Sequence, residues 1–66
     1  MAVGERIKRR REGKVLGQAE LAKAAGVSVN TLYRIEAGIH RPRPLTIRKL
    51  AKALDVAPEE LVKEGD

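Results

Sequence analysis

The sequence contains no cysteine, which excludes disulfides and thiolate metal sites and makes the reducing cytoplasm its natural compartment. Its single histidine, His40, cannot build a metal site alone. The longest run without a charged side chain is residues 24–33, and it includes Ser28, Asn30 and Thr31. That run is too short and too polar for a membrane span, which takes about 20 apolar residues. Residues 1–11 are basic, but no apolar segment follows, so no signal peptide is expected. Alternating apolar positions and β-branched runs are both missing, which excludes strands. A chain of 66 residues is expected to form one domain over 1–66, burying only about 60% of the surface its unfolded form exposes. These absences leave a soluble all-α chain with no cofactor and no membrane partner. No region for sensing a small-molecule effector is expected either.

The charge is distributed unevenly. Fourteen Lys and Arg against nine Asp and Glu give +5. Residues 1–52 hold thirteen bases and four acids, hence +9, and residues 53–66 hold one base and five acids, hence −4. A basic domain with pI near 10.1 carries the electrostatic footprint of a polyanion binder, because each neutralised phosphate releases condensed counterions. The plainer reading is a solvated surface that keeps a small protein in solution.

Helical spacing broken by Gly and Pro predicts five helices, at about 5–12, 18–25, 28–37, 44–54 and 58–63. Val3 and Ile7 lie four apart in the first, which Gly13 ends. Leu21, Ala22 and Ala25 form one stripe of the second, and Gly26 turns the chain where φ must be positive. Ser28 reads as an N-cap and Gly38 as the close of the third helix. Pro44 suits a first helical turn, and Ile47, Leu50, Ala51 and Leu54 make the clearest amphipathic pattern in the chain. Pro58 opens the fifth, where Glu59 and Glu60 complement the helix dipole.

The pair of helices joined at Gly26 has the dimensions of a helix-turn-helix, whose second helix lies in the DNA major groove. At about 100° per residue, Leu32 and Ile35 define the buried direction of that second helix. Asn30, Tyr33, Arg34 and Ala37 then point outward with Val29 at one edge, and Glu36 points back toward the body.

Three runs carry a family resemblance. They are Gln18-Ala19-Glu20-Leu21-Ala22-Lys23-Ala24-Ala25-Gly26-Val27-Ser28, then Thr31-Leu32-Tyr33-Arg34-Ile35-Glu36-Ala37-Gly38, then Leu50-Ala51-Lys52-Ala53-Leu54. Together they resemble the phage repressor and Cro family of helix-turn-helix (XRE-like) proteins over roughly residues 3–63. The resemblance implies a compact five-helix bundle of the lambda-repressor-like kind. It also implies that the chain binds a two-fold symmetric operator in double-stranded DNA as a homodimer, as a transcriptional regulator of the repressor type.

By the same resemblance Val29, Asn30 and Arg34 stand at base-reading positions. Arg favours guanine, Asn favours adenine, and Val reads only a thymine methyl or groove shape. Tyr33, the only aromatic residue, joins them as a base or phosphate contact, unless its ring folds over its own helix. Gln18 stands where the family has a Gln that touches the backbone and braces the first recognition residues; Ser28 and Thr31 match phosphate-contacting positions. Arg41 and Arg43, in the loop bordering that edge, are expected on phosphates, and His40 is ordinary solvated loop. The basic run Arg6, Lys8, Arg9, Arg10 and Arg11 cannot all face DNA, since Arg9 to Arg11 alone span about 200°. Arg10 is expected on phosphate. Arg11 is expected to pair with Glu36, as an inward carboxylate needs a cation and as the resemblance implies.

The chain departs from the family pattern in three places. Gly17 replaces a capping Ser, Thr or Asn, leaving N–H groups that a phosphate could face; Ala37 replaces a frequent Asn; and Val29 lacks a hydrogen-bonding group. The acidic C-terminal part is expected to face away from DNA, with Val56, Leu61 and Val62 forming a small dimer contact, weak without DNA. Adjacent Glu59 and Glu60 diverge by about 100° and cannot share a reacting group, so no enzyme is expected. The alternative is an antitoxin-like protein-binding module with autoregulatory DNA binding, against which stands the shortness of any tail beyond residue 63.

Overall fold

The first helix begins two residues before the expected 5–12, with Glu5 in its first turn. In a computed structural model, which describes residues 2–62, α1 spans Val3–Gly13. The Ala2 N–H donates to the Glu5 carboxylate at 3.4 Å. An acid in the first turn also meets unpaired N–H groups at the positive end of the dipole. At the other end Gly13 is still helical, and the turn falls on Val15, whose φ of 57° is left-handed. There the Leu16 N–H reaches back to the Arg11 carbonyl at 3.1 Å. That bond closes helices that end in a left-handed residue, usually glycine.

The next helices are α2, Gln18–Ala25, and α3, Val29–Glu36. Gly26 joins them at φ 73°, and the Val27 N–H donates to the Ala22 carbonyl at 2.9 Å. Ser28 and Ala37 flank α3 as its caps, which trims the expected 28–37 by one residue at each end. The Ser28 Oγ accepts from the Thr31 N–H at 3.0 Å. Of the N–H groups at the start of α2, that of Gly17 donates to the Glu20 carboxylate at 2.7 Å.

Pro44 opens α4, Pro44–Leu54, and Asp55 at φ 60° closes it. Then comes α5, Pro58–Val62. Lys63, the expected end of that helix, lies outside the described residues. Among the described residues all regular structure is helical, and no helix is long and apolar enough to cross a membrane.

Ile7, Leu21, Leu32, Ile35, Leu50, Leu54 and Leu61 are completely or almost completely buried and come from all five helices. Ala22, Ala25 and Ala51 join them, and such small side chains let α2 pack closely on α3 and α4. At Gly4 a Cβ would lie 2.0 Å from the Ile35 carbonyl oxygen. Glycine there lets α1 lie against the end of α3. Leu61 corrects an expectation, because it is fully buried where α5 packs on α1 and α4 and so offers no surface to a second copy. Val56 and Val62 are only partly buried.

Candidate nucleic-acid interface

Burial divides α3 sharply. Leu32 and Ile35 are sealed in the core, while Val29, Asn30, Tyr33 and Arg34 are exposed, with Tyr33 at 56% and Val29 at 45%. The outward set therefore combines an amide, a phenol, a guanidinium and an aliphatic edge on one rigid helix. Ser28 and Thr31 lie at the entrance of that helix. The Ser28 hydroxyl donates to Thr31 Oγ1 at 2.8 Å, which leaves the Thr31 hydroxyl proton as the donor of the pair. Beyond α3 the Ile39 and His40 N–H groups both donate to the Arg34 carbonyl, at 2.9 and 3.2 Å, and hold the loop that displays Arg41 and Arg43.

One buried carboxylate holds the pieces in register. Glu36 Oε2 accepts from Arg11 Nε at 2.8 Å, and its Oε1 accepts from Arg11 Nη2 at 2.9 Å, a forked pair with almost no exposed side chain. Arg11 Nη1 donates to the Leu16 carbonyl at 2.8 Å, tying in the turn before α2. The hydrogen bonds from Arg11 to Glu36 raise the arginine pKa against the opposing effect of burial, so the guanidinium stays charged. Bidentate geometry and satisfied donors are what such a pair needs to survive desolvation.

The same carboxylate holds Gln18, whose Nε2 donates to Glu36 Oε1 at 3.0 Å. Gln18 thus braces the last residue of α3 rather than its first ones, as the resemblance implied. Lys8, Gln18, Tyr33, Glu36 and Ala37 line a groove of about 140 Å³ between α1, the start of α2 and α3. The sequence pattern placed Lys8 in the basic run without giving it a role of its own. Its signal was present, for Lys8 lies three residues before Arg11, and the edge of α1 that faces Glu36 carries both.

Arg10 points elsewhere. Its guanidinium pairs with Glu60 of α5, on the side of α1 away from that groove, a partner the sequence pattern did not indicate. The acids that complement the α5 dipole attract it there. Among the described residues no cluster of His, Cys, Asp or Glu could hold a metal ion.

A profile of the helix-turn-helix family HTH_3 matches residues 7–61, nearly the whole described fold. The chain belongs to this family. HTH_3 proteins are DNA-binding, non-enzymatic transcription regulators. The HTH-type transcriptional repressor RghR of Bacillus subtilis is 42% identical over 60 residues, covering 89% of this HTH_3 chain and 44% of that protein. The chain spans under half the length of the curated relatives it matches. Among solved structures, the P22 c2 repressor in complex with a synthetic operator superposes with a TM-score of 0.88 at 35% identity, covering 96% of both chains. The restriction-modification controller C.AhdI of Aeromonas hydrophila does so at 0.87 and 36%, covering 89% of both.

Proposed function

We propose that this chain reads a two-fold symmetric operator as a homodimer, with α3 in the major groove, and represses transcription in the cytoplasm. The observation that carries this reading is the division of α3, whose outer side chains are free to reach base edges because Leu32, Ile35 and the Glu36 pair fix its inner side. Arg34 reads guanine O6 and N7, Asn30 reads adenine, and Val29 meets a thymine methyl. Gln18, Ser28, Thr31, Arg41 and Arg43 position the helix on backbone phosphates, with Thr31 the better donor of the Ser28–Thr31 pair. Similarity to the P22 c2 repressor, whose structure includes an operator, supports the docking of α3. Val56 and Val62 supply the contact between copies. Residues 1–66 act as one DNA-binding unit that needs no cofactor or small-molecule effector.

Selection of bound sequences from random duplexes at physiological salt tests this. The expected product is a palindromic consensus whose half-sites lie about 34 Å apart, one turn of duplex. Recovery of no consensus, or of a lone half-site, would refute the reading.

A further inference from the structure

We propose that Lys8 of α1 and Tyr33 of α3, together with Gln18 of α2, clamp one phosphodiester of the DNA backbone, so that Tyr33 grips rather than reads. The inference rests on the DNA-binding reading above and assigns a phosphate site within it.

Three helices bring a donor to one groove. Lys8 and Tyr33 are exposed and face the same 140 Å³ space as Gln18. That space matches roughly five waters at about 30 Å³ each, room for one tetrahedral anion. Gln18 is only half-buried, and one of its amide protons is committed to Glu36. The other proton remains to donate, and the bond to Glu36 fixes where it points.

Glu36 also lines the groove and would repel an anion if its charge were open. Both its oxygens accept from Arg11, and Oε1 accepts from Gln18 as well, so the guanidinium offsets the carboxylate. Lys8 then sets the sign of the groove. An ammonium, an amide N–H and a phenol O–H converging on one volume suit an oxyanion and nothing cationic. The groove opens beside the exposed face of α3, so an anion seated there is continuous with DNA held by that face.

The test uses the selected operator, the wild type, Lys8→Ala and Tyr33→Phe. Both positions are exposed, and melting temperatures should match the wild type. Lys8→Ala should weaken binding roughly tenfold, and Tyr33→Phe roughly fivefold, by equal factors on matched and mismatched duplexes. The salt slope of Lys8→Ala should fall by about 0.9 per half-site. A neutral methylphosphonate walked along the backbone should find one linkage per half-site at which Lys8→Ala costs nothing further. Inorganic phosphate at constant ionic strength should leave DNA affinity unchanged; competition by it would mean a free-anion site and overturn the clamp. A changed base preference in Tyr33→Phe, or a Lys8→Ala loss that persists at every modified linkage, would overturn it too. A wild type without sequence preference would instead defeat the underlying DNA reading, a result distinguishable from either.

Discussion

Val15 holds a backbone conformation that valine resists. It is 88% exposed, so its side chain gains little by packing there, yet its φ is 57°. Left-handed geometry costs an L-residue about 1–2 kcal/mol, and Gly, although freer when unfolded by roughly 0.5–1 kcal/mol, takes it without strain. Val15→Gly should therefore stabilise the fold by a few tenths to about 1 kcal/mol, an upward shift in melting temperature of several degrees for a domain this small. A lowered midpoint would contradict the account. Arg11 is the opposite case, because its removal strands a buried carboxylate that three donors now satisfy. Arg11→Ala should cost about 3–5 kcal/mol, enough to threaten the fold. The sign of its pH dependence follows from the raised arginine pKa. Stability from that shift is fully present below the unfolded-state value and lost only as pH rises through the still higher folded one. Both lie beyond the ordinary alkaline range, so a denaturation series from pH 7 to 10 should show a constant difference between wild type and Arg11→Ala. An unchanged melting temperature with weakened DNA binding would instead make Arg11 a DNA contact.

At the level of elements, the proposed function divides the work between α3, which discriminates, and the loop after it, which attracts. Arg34 lies on the outer face of the helix, whereas Arg43 caps the start of α4 in the exposed loop. Arg34→Ala should lose about 1–3 kcal/mol of preference at one position per half-site. Arg43→Ala should weaken all sequences alike and lower the salt slope by about 0.9 per contact. Titrations on matched and mismatched operators across a salt series separate the two, and the reverse pattern would exchange their roles. Helix positions were legible because Gly26, Ser28, Pro44 and Pro58 punctuate the chain at points where backbone geometry demands those residues. The inner and outer sides of α3 followed from 3.6-residue spacing, and so did the inward aim of Glu36. Periodicity states an angle about one axis, however, and not which neighbour occupies it. Leu61 was misjudged for that reason, and the partners of Arg10 and Gln18 were not foreseen, since the helices that bury Leu61, the acids of α5 and Glu36 all belong to other parts of the chain. Gly4 gave no local sign of its role, which is set by the Ile35 carbonyl across the interface.

Over the described residues the fold measures 30 × 23 × 20 Å, its long dimension close to the 34 Å between successive major grooves on one face of a duplex. Two copies so placed meet at their margins, and any contact between them is small. Val62→Asp should stay folded, lose cooperativity on the palindromic operator and remain a monomer by sedimentation at micromolar concentration. Leu61→Asp should unfold, because it buries a charge in the core. Undiminished cooperativity in Val62→Asp would move the contact to another surface. The division of α3 also bears on how such a protein diverges. Its outward side chains contribute little to the core, so exchanges at Val29, Asn30 and Arg34 are nearly free of structural consequence, while Leu32 and Ile35 tolerate almost none. Duplicated copies of this gene could drift to new operators by a handful of steps, each leaving a folded protein for selection to act on.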